Sequence, residues 1–300
     1  MQPEEVRKYP PVVLTEAERE LYFENGYLLL ERFVDHEWLA RLRAATNEFL
    51  ERSRQETRSG DVYDLAPGHG PAQPRLRRLK SPDDQHEAFW EYARGVMADL
   101  ARDLVGPDVV FHHAKLNFKW NDGNDEVDWH QDIQFYPHTN YSSLTIGTYL
   151  YDTGPEDGPL GVLPRSHEGP LYDLYDAAGN WAGSLQPPDV AKLPVAKLAS
   201  LEGPAGSVTI HNCRTVHSSP PSRAAGGRPL LLNSYTSADA KAYMPHPQPS
   251  SHAYAVVRGK PARWASHDPR PCPLPPDWSG GYTSIFAAQA GEQGRGSRGE

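Results

Sequence analysis

The sequence of 300 residues has only two cysteines, no long apolar run and no excess of positive charge. Cys213 and Cys272 cannot form a disulfide framework and are no zinc-type pair, which favours a reducing, cytoplasmic environment. No segment has the length and apolarity of a membrane span or the regions of a signal peptide. The formal net charge of -9 argues against binding to nucleic acid or to an anionic membrane. We therefore expect a soluble protein whose partner is a small molecule, and composition says nothing about its oligomeric state.

The first third of the chain has mainly helical patterns. Thr15 and Glu18 have the spacing of a capping box, which predicts a helix start. Asp35 is a candidate cap for a second helix, because apolar residues recur at helical spacing after it. Residues 52–82 are polar and rich in Gly, Pro and charge, and residues 88–104 return to helical periodicity. The sequence therefore predicts an amino-terminal set of helices.

The pattern changes from Val109 to short strands separated by turn-rich segments. The predicted strands cover residues 109–119, 143–151, 206–211 and 229–235. Many short strands after a helical start indicate helices packed on a closed or double sheet, of which a jelly roll is one form. Periodicity alone does not choose among these forms.

The chain organisation is predicted to be simple. We expect one catalytic domain over residues 1–285, since no internal repeat or linker divides it. Residues 286–300 are polar and rich in Gly, which predicts a flexible carboxy-terminal tail.

His130 and Asp132 are the first candidates for a chemical role. On a strand, residues two apart point to the same face, so both side chains can reach one metal ion. A His-x-Asp pair arises by chance roughly once at ordinary Asp frequencies, because the chain has 13 histidines. The pair alone therefore leaves open a surface strand with two polar residues. A third ligand has two candidates, His211 and His217, which lie in the same strand-loop-strand segment.

Arg228 follows His217 by eleven residues and opens an apolar strand. An arginine in that position indicates an anionic partner. Two histidines and one carboxylate on one side of an iron ion leave three adjacent positions open, which is the arrangement of non-haem Fe(II) oxygenases. A 2-oxo acid takes two positions and O2 the third, while the guanidinium pairs with the far carboxylate of 2-oxoglutarate. These residues therefore predict Fe(II), 2-oxoglutarate and O2 as the cofactor set.

The ordered motifs resemble those of the phytanoyl-CoA dioxygenase family, which includes ectoine hydroxylase, from about residue 14 to residue 235. The matching pieces are residues 23–27 (Phe-Glu-Asn-Gly-Tyr), 116–119, 129–132, 157–167, and His217-x-Ser219 followed by Arg228. The resemblance implies a mainly β protein with flanking α-helices, whose core is a double-stranded β-helix, the cupin-like jelly roll. It implies an oxidoreductase of the dioxygenase type and assigns the third ligand to His217 rather than His211.

The resemblance also assigns roles to individual side chains. The implied metal ligands are His130, Asp132 and His217, and the implied 2-oxoglutarate contacts are Arg228, Ser219, Asn117, His113 and Thr148. The chain departs from the family pattern at Ser218 and at Arg165, where glycine is common. Arg165 is therefore expected to reshape the mouth of the pocket.

Substrate contacts are harder to predict. Trp129, Gln134, Tyr136 and Tyr149 flank the metal strands and are candidates together with Arg165, although aromatic residues in strands often only pack. Three loops, residues 65–78, 169–193 and 239–252, are expected to choose the substrate, and the second has the composition of a lid.

The presence of Asp132 favours hydroxylation of an unactivated C–H bond, because related halogenases lack this carboxylate. Desaturation, epoxidation, cyclisation and epimerisation stay open. A different class also stays open, a non-oxidative metal-binding isomerase or ligand-binding protein of the cupin type, which Arg228 argues against. A serine hydrolase built on Ser218 or Ser219 lacks a nucleophile elbow.

Overall fold

The structure is a computed structural model that describes residues 1–121, 125–224, 227–276 and 284–289. Its helices are α1 (Pro3–Val6), α2 (Glu16–Asn25), α3 (His36–Arg52), α4 (Pro82–Gln85), α5 (Glu87–Arg94), α6 (Val96–Val105), α7 (Pro187–Val190) and α8 (Ile285–Gln289). Its strands are β1 (Tyr27–Leu30), β2 (Tyr63–Leu65), β3 (Leu76–Lys80), β4 (Val109–Lys119), β5 (Val127–His130), β6 (Ser143–Tyr149), β7 (Leu160–Val162), β8 (Ala199–Leu201), β9 (Val208–Asn212), β10 (His217–Ser219), β11 (Arg228–Ser237) and β12 (Val256–Arg258).

Two antiparallel sheets form the centre of the fold. The major sheet has the strand order β1-β9-β6-β11-β4-β3-β2, and β12 also pairs with β4. The minor sheet has the order β5-β10-β7-β8. Every pairing between the described strands is antiparallel. The predicted mainly β fold with amino-terminal helices, a jelly roll, is confirmed.

Two helices begin where the sequence predicted a cap. The side chain of Thr15 accepts a hydrogen bond from the backbone N–H of Glu18, which completes a capping box at the start of α2. The side chain of Asp35 caps α3 by accepting a hydrogen bond from the backbone N–H of Trp38. Gly26 ends α2 with φ of 78°, and a Cβ there would come within 2.3 Å of the His167 ring. The helix end therefore requires glycine for both its backbone angle and its close packing.

The two faces of the major sheet have different chemistry. One face packs against α3, α5 and α6 in the main apolar core, to which β4 contributes Leu116 and Phe118. Alternate residues of β4 point the other way and carry polar side chains, among them Lys115 and Asn117, which line a pocket. This polar face lies toward the minor sheet. The functional side chains therefore collect between the two sheets.

Two expectations about irregular segments need correction. Residues 52–82 look like a polar connection, yet they contain β2 and β3, which extend the major sheet beyond β4. The predicted flexible tail of residues 286–300 begins inside α8, where residues 286–288 are buried. These residues are ordered because the apolar side of this short helix packs over the pocket. Residues 290–300 lie outside the described residues.

Candidate active site

The candidate metal ligands come from the adjoining ends of two minor-sheet strands. His130 is the last residue of β5 and His217 the first of β10, and the antiparallel register places them directly opposite each other. Their ring centroids are 4.0 Å apart. Asp132 is not on the strand, as the His-x-Asp argument assumed, but begins a 3-10 turn over Asp132–Gln134. The turn, rather than strand alternation, brings its carboxylate back toward the histidines.

The three side chains converge on one point. Nε2 of His130 and Nε2 of His217 each lie 3.8 Å from Oδ1 of Asp132. The three ligand atoms all lie within 4.8 Å of one another, and all three residues are buried. Ligands about 2.1 Å from a shared ion lie within about 4.2 Å of one another. The set therefore fits a metal ion after a small contraction, and its two imidazoles and one carboxylate are the donor set of Fe(II) oxygenases.

Backbone carbonyl groups fix the orientation of both imidazole rings. Nδ1 of His130 lies 2.8 Å from the carbonyl oxygen of Asp128, and Nδ1 of His217 lies 2.8 Å from that of Thr215. Because a carbonyl oxygen only accepts, each Nδ1 carries the hydrogen. Each Nε2 therefore presents its lone pair to the metal position.

The carboxylate of Asp132 is oriented by two further side chains. Oδ2 accepts a hydrogen bond of 3.0 Å from the hydroxyl of Thr145 and lies 3.1 Å from Nε2 of His211. This leaves Oδ1 directed at the two ligand histidines. His211, the competing candidate for the third ligand, therefore contacts the carboxylate instead. The sequence did not predict a role for Thr145, although its parity on β6 places it on the pocket face.

The protonation states suit metal binding at neutral pH. Burial lowers the pKa of His130 to about 4 and the pKa of His217 well below its usual range. Burial alone would raise the pKa of Asp132, but the hydrogen bond from His211 and the positive charge of neighbouring groups hold it well below its usual range. The histidines are therefore neutral and the carboxylate ionised before a metal arrives, so binding releases no proton from them.

A pocket beside the triad contains the predicted cosubstrate contacts Arg228, Asn117 and Ser219. The buried guanidinium of Arg228 donates from Nε to the carbonyl oxygen of Asp157 (3.2 Å) and from Nη2 to that of Gly158 (2.5 Å). Among the described residues no carboxylate forms an ion pair with it, and burial lowers its pKa. Arg228 is thus a buried cation held by one edge, with Nη1 available for an anionic ligand.

Lys119 adds a second positive group to the same end of the pocket. Its Nζ donates to the carbonyl oxygen of Ser219 (3.1 Å) and to that of Pro220. Burial, together with the charge of Arg228, lowers the pKa of Lys119 to about 7. A dianion at this position would meet both groups.

The structure does not support the predicted contact of Thr148 with 2-oxoglutarate. Its hydroxyl lies 2.8 Å from the hydroxyl of Tyr92 on α5, on the helix side of the major sheet. Strand alternation then turns Tyr149 toward the pocket, where its ring centroid is 5.9 Å from the guanidinium carbon of Arg228. Its hydroxyl donates to the carbonyl oxygen of Leu201. Tyr149, predicted as a substrate contact, therefore lies beside Arg228.

Two of the remaining predicted residues lie close to the metal ligands. His113 and Tyr136 line a chamber that also includes Asp132 and Lys115, and Lys115 and Asp132 also line the pocket that contains Arg228. The chamber is therefore continuous with the metal position. His113 stacks on His246 with ring centroids 4.6 Å apart. His113 therefore lies in this chamber rather than beside Arg228.

The other predicted substrate contacts lie away from the chamber lining. Trp129 packs against an apolar cluster that includes Leu174. Gln134 is buried, and its side-chain amide donates to the carbonyl oxygen of Tyr172. Arg165 is exposed on the surface and pairs with two glutamates, so it does not shape a pocket mouth by the metal site.

Comparison with known proteins decides the family. The family model for phytanoyl-CoA dioxygenase (PhyH) matches residues 22–230. The chain belongs to the phytanoyl-CoA dioxygenase family. It is 31% identical over 239 residues to a Stutzerimonas stutzeri protein named "Probable alpha-ketoglutarate-dependent hypophosphite dioxygenase", covering 76% of this chain and 80% of that relative. It is 27% identical over 241 residues to an ectoine dioxygenase of Stutzerimonas stutzeri (strain A1501), covering 73% of this chain and 76% of the relative.

Solved structures share the fold of this PhyH-family protein. EctD from S. alaskensis with 2-oxoglutarate and 5-hydroxyectoine superposes with a TM-score of 0.64 at 21% identity, covering 85% of this chain and 87% of that chain. The epimerase SnoN, in complex with Fe3+, alpha ketoglutarate and nogalamycin RO, superposes with a TM-score of 0.59 at 20% identity. The superposition covers 92% of this chain and 98% of the SnoN chain. These similarities confirm the jelly-roll fold.

Family membership confirms the predicted enzyme class and cofactors. The protein is a non-haem dioxygenase that uses Fe(II), 2-oxoglutarate and O2. The interpretation as a non-oxidative metal-binding protein is thereby set aside. No helix among the described residues combines the length and the apolarity that a membrane span needs.

Proposed function

We propose that this PhyH-family protein hydroxylates an unactivated C–H bond of a small molecule. The observation that carries the proposal is the complete ligand set of His130, Asp132 and His217, converging from one side on a position that opens to a chamber. With three protein ligands on one side, three adjacent positions stay available for the cosubstrate and O2. The carboxylate ligand leaves no place for a halide among the protein ligands.

Several residues of the pocket each contact a different part of the cosubstrate in this proposal. We infer that Arg228 takes the far carboxylate of 2-oxoglutarate through its free edge, with Ser219 and Asn117 beside it. Lys119 adds positive charge at that end. Iron(II), when bound, would provide the site at which O2 is activated, with two electrons from conversion of 2-oxoglutarate to succinate and CO2 and two from the substrate bond. One oxygen atom ends in succinate and the other in the hydroxylated product.

The protein contributes orientation and a dry environment. His211 and Thr145 hold the carboxylate of Asp132 in one orientation. The apolar side chains of Ile285 and Phe286 cover the cosubstrate pocket. A fixed ligand set and exclusion of water favour oxidation of the substrate over unproductive decarboxylation.

A second candidate is oxygen transfer to a P–H bond of a small phosphorus oxyanion. The relative named as a probable hypophosphite dioxygenase favours it, at 31% identity over 76% of this chain. The cofactors and the ligand set would be the same.

The experiment is a product analysis with iron-loaded protein, 2-oxoglutarate and O2 labelled with heavy oxygen. We expect succinate release that depends on the substrate and a product that has gained one labelled oxygen atom. Asp132→Ala should abolish both, while Thr148→Val, outside the pocket, should keep both. A product with two fewer hydrogens would indicate desaturation or cyclisation, and a product of unchanged mass would indicate epimerisation. Either result would contradict the hydroxylase proposal.

A further inference from the structure

The chamber beside the metal ligands is lined by cationic side chains from two neighbouring strands. Antiparallel pairing of β3 with β4 places Arg78 opposite Asn117 and Lys80 opposite Lys115. Paired residues share a face of the sheet, so all four side chains point to the inside. Arg78, Lys80 and Lys115 line the chamber together with Asp132.

One of the three cations is already neutralised. Nζ of Lys80 lies 2.8 Å from Oδ1 of Asp64 and donates to the carbonyl oxygen of Gly60 at 2.8 Å. Both members of the pair are buried. Lys80 therefore serves the packing of β2 against β3 rather than a ligand.

Arg78 has donor capacity that no described residue uses. Its side chain is buried, and Nε donates to Oδ1 of Asn117 at 3.0 Å. Its Nη2 is buried without a hydrogen-bond partner. A buried guanidinium N–H without an acceptor is costly, and such a group is retained where a ligand completes it. Arg78 is one of the residues that line the chamber.

Lys115 is the second cation, and no described carboxylate lies within ion-pair distance of it. No described residue forms a hydrogen bond or an ion pair with its side chain, which lines both the chamber and the cosubstrate pocket. Burial lowers its pKa to about 8, with the charge of Asp132 opposing and that of Arg78 adding to the shift, so the ammonium form still prevails at neutral pH. Lys115 thus holds a positive charge between the metal ligands and Arg78.

The other polar groups of the chamber do not balance these charges. Burial lowers the pKa of His113 well below its usual range and that of His246 to about 4, so both rings are neutral. Asp132 is the one carboxylate among the described lining residues, and its oxygens face the ligand histidines, His211 and Thr145. Among the described residues, Lys115 and Arg78 therefore have no carboxylate in direct contact, and Asp132 acts on Lys115 only from beyond ion-pair distance.

We propose that Lys115 and Arg78 form a binding site for a compact anionic group of the substrate, a carboxylate or a phosphorus oxyanion. This inference rests on the proposed function and adds the chemical class of the substrate. The anion lies between the two side chains, and the oxidised bond is directed toward the metal position by this anchor. The far carboxylate of 2-oxoglutarate has its own cations, Arg228 and Lys119, at the other pocket.

The test is a calorimetric titration of the anaerobic protein loaded with Fe(II) and 2-oxoglutarate. The probes are isobutyrate, methylphosphonate and hypophosphite, with isobutyramide as a neutral match to isobutyrate. We expect at least one anion to bind saturably, and isobutyramide to bind more weakly than its acid. Lys115→Met should weaken anion binding roughly tenfold or more, whereas Lys115→Arg should retain it. Lys197→Met, an exposed lysine, controls for net charge.

A second variant and a spectroscopic readout keep the outcomes distinct. Arg78→Lys retains the positive charge but loses the planar, two-pronged guanidinium. It should therefore lower the affinity for the phosphorus anions more than Lys115→Arg does. The visible charge-transfer band of the iron and 2-oxoglutarate complex is recorded in every variant, and thermal unfolding checks the fold.

Each result has one meaning. Loss of anion affinity in Lys115→Met with an unchanged cosubstrate band supports the site. Equal binding of acid and amide, or no binding of any anion, overturns it. A weaker affinity for 2-oxoglutarate with unchanged anion binding would assign Lys115 to the cosubstrate and also overturn the site. If the wild-type protein forms no band, the proposed function fails, while calorimetry still decides the anion site.

Discussion

Replacing Arg228 tests how this chain holds 2-oxoglutarate. The guanidinium is buried, one edge is fixed by the carbonyl groups of Asp157 and Gly158, and Nη1 makes no hydrogen bond to a described residue. Truncating one partner of a buried, hydrogen-bonded charge pair costs about 3 kcal/mol. That energy corresponds to a dissociation constant roughly 150-fold larger. We expect this loss for 2-oxoglutarate in Arg228→Ala.

The assay is an anaerobic absorption titration of metal-free protein, first with Fe(II) and then with 2-oxoglutarate. In the wild type loaded with one equivalent of iron, a visible charge-transfer band should appear as 2-oxoglutarate is added and should saturate at one equivalent. Iron affinity should be the same in Arg228→Ala, because Arg228 does not contact the triad. Arg228→Lys keeps the charge but loses the planar fork, and should weaken 2-oxoglutarate binding by about tenfold.

Folding has to be separated from binding in this experiment. Arg228→Ala leaves the carbonyl groups of Asp157 and Gly158 without their donor, so the melting temperature should also fall. Unchanged iron affinity in the variant shows that the site is still assembled. An affinity for 2-oxoglutarate within about twofold of the wild type would refute the reasoning, because a bidentate buried pair has a much larger effect.

Three further predictions follow from the contacts of the site. His211→Phe removes a hydrogen bond to Asp132 and should weaken Fe(II) binding by about 10- to 100-fold in an anaerobic metal titration; unchanged affinity would show that the contact does not orient the ligand. Burial and a neighbouring arginine lower the pKa of Lys119 to about 7, so the free protein loses this charge as the pH rises through that value, and a bound dianion raises the pKa again. The affinity for 2-oxoglutarate should therefore fall above about pH 7, with proton uptake seen by calorimetry in different buffers, and Lys119→Met should flatten the profile. Thr148→Val should leave the affinity for 2-oxoglutarate unchanged but lower the free energy of unfolding by about 1 kcal/mol, since the buried hydroxyl of Tyr92 loses its partner; a weaker affinity would restore the cosubstrate role.

Local signals in the sequence predicted much of the fold. The capping box at Thr15 and Glu18 and the cap at Asp35 depend on neighbouring residues only, and both are present in the structure. The strand predicted over residues 109–119 matches β4. Backbone preferences act over a few residues, so short-range patterns are sufficient for such elements.

The strand β3 shows where local patterns fail. Its sequence, Leu-Arg-Arg-Leu-Lys, has the charge of a solvated connection. It becomes a strand because it pairs with the edge of β4. Its charged side chains contact polar groups, Arg78 with Asn117 and Lys80 with Asp64. Pairing partners so distant in the chain have no signal in the segment itself. The cations at Arg78 and Lys80 were missed for this reason.

Ordered motifs predicted the composition of the site but not the direction of every side chain. Thr148 was predicted to contact 2-oxoglutarate and Tyr149 to contact the substrate. Adjacent residues of a strand point to opposite faces, so both cannot face the pocket. Only the packing of β6 between the helices and the minor sheet shows that Tyr149 faces the pocket and Thr148 faces Tyr92. Alternation was visible in the sequence, but which face was inside was not.

The sequence by itself determined the helix starts, the main strands and the residue types of an iron and 2-oxoglutarate enzyme, because capping, alternation and ligand chemistry are properties of short segments. Only the tertiary structure decided that His211 contacts the carboxylate of Asp132 and that Lys115 and Arg78 share a chamber. Those relations join residues that are far apart in the chain. They exist because two sheets enclose a polar interior, where a buried charge is costly unless a protein group or a bound ligand pairs with it.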